Sequence, residues 1–156
     1  MYLFAYGTLQ PAANLSFFER NELTQWLTVY CRGTVGGELV HVRNSQQHID
    51  YPGLVQVRTA TSTSIVLGTV FEVINPEAAF LVMDAYEEFN PKYTTAESNT
   101  KNFYQRRELP VQTELGELIM AQVYVLNKNS DYYKKDFITE IGPVKNGDWL
   151  SYLDLQ

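Results

Sequence analysis

A chain of 156 residues with 45% hydrophobic and 19% charged side chains can bury a sizeable core, and its composition excludes a disordered protein. Its formal charge of −6 offers phosphates no basic surface, and the basic pairs Arg106–Arg107 and Lys134–Lys135 are too short to build one, so nucleic acid is excluded as a partner. Cys31 is the one cysteine, so no internal disulfide forms and a reducing compartment is expected. The start, Met1-Tyr2-Leu3-Phe4-Ala5-Tyr6, lacks the basic flank and long apolar run of a signal peptide, and no stretch reaches the ~20 apolar residues that span a membrane. A single soluble, cytoplasmic domain over 1–156, with no membrane partner, is expected.

Tyr2 to Tyr6 reads as a buried opening strand that breaks at Gly7, with Pro11 marking a loop. Ser16-x-x-Glu19 has the form of a capping box, which predicts a helix from about Ser16 to Trp26. Val29 to Val42 is strand material interrupted by Gly33 and Gly36-Gly37, as in a bent barrel strand. The polar segment Asn44 to Pro52 reads as a loop and Leu54 to Arg58 as a short strand. Ile65 to Ile74, rich in Val, Ile and Phe, is the strongest strand signal. Asn75-Pro76-Glu77 supplies an N-cap, a proline at the first helical position and an acid in the first turn, so a helix is predicted to about Glu88, ended by Asn90-Pro91. Tyr93 to Asn102 reads as a polar loop long enough for a mobile flap. Two strands, Tyr104 to Gln112 and Leu118 to Leu126, flank a turn containing Gly116. The rest is short, polar and aromatic. These elements describe a mixed α+β, barrel-like domain with two or three helices.

Few residues are suited to chemistry. His41, His48 and Cys31 lack the spacing of metal ligands, so no metal is expected. His48, in Ser45-Gln46-Gln47-His48, reads as a solvated loop residue, and Cys31 as a small buried thiol. Tyr6-Gly7-Thr8-Leu9 follows the first strand, where successive backbone N–H groups can face one concavity and hold a carboxylate or another anion; the same residues also read as an ordinary turn. In the helix after Pro76, Phe80 and Met83 lie at i−7 and i−4 from Glu87, on its own side. A carboxylate placed there is partly desolvated, which raises its pKa and suits it to take up and return a proton. Glu87 and Glu88 also read as a solvated helix end.

Taken together and in order, these segments resemble the γ-glutamylcyclotransferase-like family, which includes the AIG2-like proteins. Tyr6-Gly7-Thr8-Leu9 is similar to its opening motif, and Met83-Asp84-Ala85-Tyr86-Glu87 followed by Tyr104-Gln105-Arg106 is similar to its Leu-Asp-x-x-Glu helix and Tyr-x-Arg strand. Tyr51-Pro52-Gly53-Leu54 resembles the aromatic-Pro-Gly segment between them, and Gly68-x-Val70-Phe71 the strand that leads to the helix. The chain departs from the pattern in having Met83 for Leu, Glu88 where relatives often have Gly, and a longer segment from Phe89 to Phe103.

The resemblance implies a barrel-like α+β fold and a cofactor-independent cleavage of a small-molecule γ-glutamyl amide. The substrate's own α-amine attacks the γ-carbonyl, leaving 5-oxoproline and a free amine. It implies Glu87 as the acid/base. The N–H groups of Gly7, Thr8 and Leu9 would hold the α-carboxylate or the developing oxyanion, and Tyr6 and Tyr104 would shape the pocket. Arg106 reads equally as a site residue or as the partner of an acid. The rival reading is a binding protein that keeps the γ-glutamyl pocket without turnover.

Overall fold

Strands dominate the chain and close on themselves. The computed structural model describes residues 1–56 and 64–155, with the backbone alone described for 11–15. In order it holds β1 (Tyr2–Ala5), α1 (Pro11–Arg20), a 3₁₀ turn (Leu23–Gln25), β2 (Leu27–Gly36), β3 (Glu38–Asn44), β4 (Ile49–Val55), β5 (Ile65–Val73), α2 (Pro76–Tyr86), α3 (Ala96–Asn99), β6 (Tyr104–Thr113), β7 (Leu118–Leu126), α4 (Asp131–Lys134), β8 (Ile138–Pro143) and α5 (Trp149–Leu153). A closed barrel runs β1-β5-β2-β6-β7, and β4-β3-β8 form a separate three-stranded sheet. The barrel pairs are antiparallel except the last, where β7 meets β1 in parallel through Leu3↔Gln122 and Phe4↔Val123. Closure removes the free edges that would otherwise template aggregation.

The alternation of a strand explains why β1 is apolar throughout. Phe4 meets Cys31, Val70, Val111 and Val123, one residue or more from every barrel strand, so this cluster fills the interior. Leu3 and Ala5 point the other way and join Phe17, Phe18, Phe71, Phe80 and Met83 beneath α1 and α2. With both faces covered, no position in β1 is left for a polar residue. Cys31 is buried in the barrel, at a register shift in β2, and burial pushes its thiol up, away from the reactive thiolate.

The barrel, the mixed α+β class and the strands at 65–73, 104–113 and 118–126 agree with the sequence reading. Several elements differ. α1 begins at Pro11, whose ring presets the first helical φ; Ser16 therefore lies inside the helix and caps nothing, and the chain has left the helix before Trp26. The polar segment read as a loop is mostly strand: β4 pairs with β3 from Glu38↔Val55 to Asn44↔Ile49. Pro52 is tolerated there because β4 is an edge strand, where a missing N–H breaks no ladder. Of the strand expected over Leu54 to Arg58, Leu54 and Val55 finish β4, and 57–58 lie outside the described residues. The segment expected as a flap holds α3, capped reciprocally by Thr95 and Ser98, and is tied down where Asn102 Oδ1 accepts from the Asn90 N–H at 2.7 Å. Beyond two helices of 10 and 11 residues, the described residues hold three of 4, 4 and 5 residues, each too short to show a periodicity in sequence. Among the described residues no helix is long and apolar enough to cross a membrane.

Candidate active site

Helix α2 sets the position of the acid. Asn75 caps it, its side chain accepting from the Ala78 N–H at 3.3 Å, and Pro76 opens it. Its inner face buries Ala79, Phe80, Met83 and Asp84. Asp84 fastens the helix to the barrel: its carboxylate accepts from Arg106 Nε at 2.9 Å and Nη2 at 3.1 Å, and from the Tyr124 hydroxyl at 2.6 Å. The guanidinium of Arg106 lies 4.1 Å from the centre of the Phe80 ring, which adds a cation–π contact. Arg106 is therefore the partner of an acid and is held away from the cavity lining.

The helix stops one residue before Glu87, which is its C-cap rather than a helical residue. Glu88 follows with φ +50°. The Glu88 N–H donates to Ala85 O at 3.3 Å and the Phe89 N–H to Asp84 O at 2.9 Å. This is the Schellman arrangement, with glutamate at the left-handed position usually given to glycine. The sharp exit directs Glu87 into a cavity of about 270 Å³.

Every expected site residue lines that cavity: Glu87, Tyr6, Gly7, Thr8, Leu9 and Tyr104. Glu87 keeps part of its surface open to it. Loss of bulk water, with smaller contributions from the charges of Asp84 and Glu88, raises its pKa from 4.5 to about 8. The residue is thus poised between proton donor and acceptor near neutral pH.

The turn after β1 forms the opposite wall, closed by the Gln10 N–H donating to Gly7 O at 3.1 Å. Among the described residues, the N–H groups of Gly7, Thr8 and Leu9 donate to no protein acceptor, so they remain available to a ligand. No lysine or arginine among the described residues lines the cavity, and unpaired N–H groups of a turn are a feature that can hold an anion. Gly7 is required by close approach rather than by an unusual φ: a Cβ there would sit 2.4 Å from Pro52 Cγ. Gly7→Ala is accordingly expected to displace the turn from the stiff proline ring, raising KM about tenfold or more and destabilising the fold by roughly 1–3 kcal/mol. Steady-state kinetics and thermal unfolding check this; unchanged KM would remove the turn from the binding site.

The two expected tyrosines act as struts. The Tyr6 hydroxyl donates to Tyr124 O at 2.7 Å and accepts from the Leu54 N–H at 3.0 Å. The Tyr104 hydroxyl donates to Pro52 O at 2.6 Å. Both tie β4 to the barrel, and burial pushes both phenols well above the ordinary range, so they stay neutral. Sequence reasoning did not assign Tyr51, Phe103 or Tyr124, which also line the cavity. A signal existed for Tyr124: it is the one hydroxyl-bearing side chain in the aliphatic run of β7, where a polar tip implies a buried partner. Among the described residues no group of three His, Cys, Asp or Glu could hold a metal ion.

The sequence and fold match known proteins. The family model described as gamma-glutamyl cyclotransferase, AIG2-like, matches residues 3–151. No curated protein matches the chain. Among solved structures, YkqA from Bacillus subtilis is similar with a TM-score of 0.61 and 17% identity, over 99% of this chain and 41% of YkqA. An AIG2-like protein from Mus musculus is similar at 0.53 and 22% identity, over 80% of this chain and 75% of that one. A chain described as a gamma-glutamyl cyclotransferase is similar at 0.57 and 19% identity, over 81% of this chain and 66% of that one. At such identities the likeness of structure is one of fold, whereas the family model covers nearly the whole length: the chain belongs to the γ-glutamyl cyclotransferase, AIG2-like family.

Proposed function

We propose that the protein is a cyclotransferase that cleaves γ-glutamyl amides to 5-oxoproline and a free amine, in the cytoplasm and without a cofactor. One observation carries the reading: a desolvated carboxyl, Glu87, with its pKa raised to about 8, shares a cavity with three unpaired backbone N–H groups. A γ-glutamyl head group needs both features. Its α-carboxylate or the oxyanion takes the N–H groups, and its α-ammonium meets Glu87.

The reaction needs little more, because the nucleophile is already tethered to the carbonyl it attacks. Glu87 takes one proton from the α-ammonium. The resulting amine adds to the γ-carbonyl carbon, forming the ring C–N bond and an oxyanion that N–H donors stabilise. As the oxyanion collapses, the C–N bond to the leaving group breaks and Glu87 returns its proton to the departing nitrogen. The ring nitrogen then releases its extra proton to solvent. One carboxyl serves as base and then acid.

The test is incubation with γ-glutamyl dipeptides, glutathione and γ-glutamyl-ε-lysine, with 5-oxoproline measured by mass spectrometry. Release from any of them, lost in Glu87→Gln, supports the assignment. No release from the whole panel, with ligands still bound, would favour a binding protein.

A further inference from the structure

The cavity carries a second carboxylate that the cyclisation leaves unused. Glu88 lines it beside Glu87, in a left-handed backbone conformation that opposes any side chain. Burial is uneven around the cavity. Gly7 and Leu9 are buried, whereas Ile49 and Tyr86 are 44% and 41% exposed and Glu88 is exposed too. These three residues form the solvent rim. With the head group's α-carboxylate held at the Gly7 turn, the leaving group must pass out across that rim.

The rim has one sign of charge. Glu88 is hydrogen-bonded by the Tyr132 side chain but enters no ion pair among the described residues. Lys101 borders the shallow groove on its other side, but that ammonium lies over the Tyr93 ring, 5.2 Å from its centre. Tyr51 and Tyr86 line the cavity with Glu88, and aromatic rings attract cations. A carboxylate on the leaving group would therefore meet an anion that no cation offsets, and an ammonium would meet a carboxylate and aromatic rings.

We infer that Glu88 is a specificity-determining residue that selects γ-glutamyl amides whose leaving amine bears a second, cationic centre. The inference rests on the cyclotransferase reading and adds to it the charge of the leaving group. It also links recognition to chemistry. The Glu88 charge contributes to holding the Glu87 proton, so a cation that offsets Glu88 favours the ionised Glu87 needed for the first proton transfer.

Three amides of matched length test it: γ-glutamyl-putrescine (cationic), γ-glutamyl-pentylamine (neutral) and γ-glutamyl-δ-aminovalerate (anionic). The native protein is expected to favour the cationic amide over the neutral one by about fivefold or more in kcat/KM, and the neutral over the anionic one by a similar factor. In Glu88→Gln both ratios should fall to within about twofold of unity. Glu88→Gly relieves the left-handed backbone, so its ratios should collapse in the same way without loss of fold. If the native protein releases 5-oxoproline with no charge preference, or if both variants keep the native ratios, the role of Glu88 is overturned and the cyclotransferase reading stands. If none of the three is cleaved while γ-glutamyl dipeptides or glutathione release 5-oxoproline, the role of Glu88 is overturned and the cyclotransferase reading stands; if those release none either, both are overturned.

Discussion

Glu87→Gln is expected to lower 5-oxoproline release by about 10²–10⁴-fold while leaving the fold intact. Native kcat/KM should rise with pH and level off above about 8, because the base must first be ionised and its pKa is raised to about 8. The variant's residual rate should lack that rise. Full activity in Glu87→Gln would move the role to Glu88 or end the mechanism. The same pKa bears on stability. A carboxyl whose folded pKa lies above its ordinary 4.5 contributes stability that is fully present below the unfolded value and is lost as pH rises through about 8. Glutamine never ionises, so the variant should be the more stable form at about pH 9, by roughly 1–3 kcal/mol, with the difference vanishing near pH 5. Urea unfolding at the two pH values measures it.

The largest loss of stability is expected from Asp84→Asn. The carboxylate is almost buried and answers three donors, two on Arg106 and one on Tyr124. An amide presents an N–H₂ to groups that themselves donate, and it leaves the guanidinium uncompensated. The cost is about 2–4 kcal/mol, discounted from a fully buried pair because Arg106 keeps 21% of its side chain exposed. A second readout separates the site from the scaffold. The Asp84 charge helps hold the Glu87 proton, so the pH midpoint of kcat/KM should move below about 8 in the variant. An unchanged melting temperature would mean that α2 does not depend on this clamp, and an unchanged midpoint would mean that Asp84 does not tune Glu87.

The parts of the molecule that were legible in sequence share a physical cause. β5, β6 and β7 are long, and β-branched residues recur along them at strand spacing, so several positions report the same element. α2 is announced by Asn75, Pro76 and Glu77, each acting within one turn. The Gly7 turn and Glu87 were legible because a motif ties a residue type to a backbone event. β4 was hidden because it is an edge strand with Asp50 and Pro52 in it, and its partner β3 supplies an order that its own residues do not encode. α4, β8 and α5 were hidden by brevity. Tyr51 and Tyr124 reach the cavity only through the register of β4 and β7, a long-range property that no local window contains. The sequence reading put Glu87 inside a helix running to about Glu88, but α2 ends at Tyr86; its place beyond the last turn depends on the left-handed Glu88, which a sequence pattern does not reveal.

Parallel pairing of β1 with β7 has a consequence for the order of assembly. Tyr6 and Tyr124, joined by a hydrogen bond across 118 residues, cannot meet until nearly the whole barrel has left the ribosome. β1 can pair with β5 early, but its closure on β7 comes late, and loop-closure entropy on this scale belongs to slow-folding topologies. Until that moment the cavity has only one wall: the Gly7 turn exists, but the surface that aims Glu87 at it does not. Ligand affinity should therefore appear in a single late step of refolding, together with the final burial of β1.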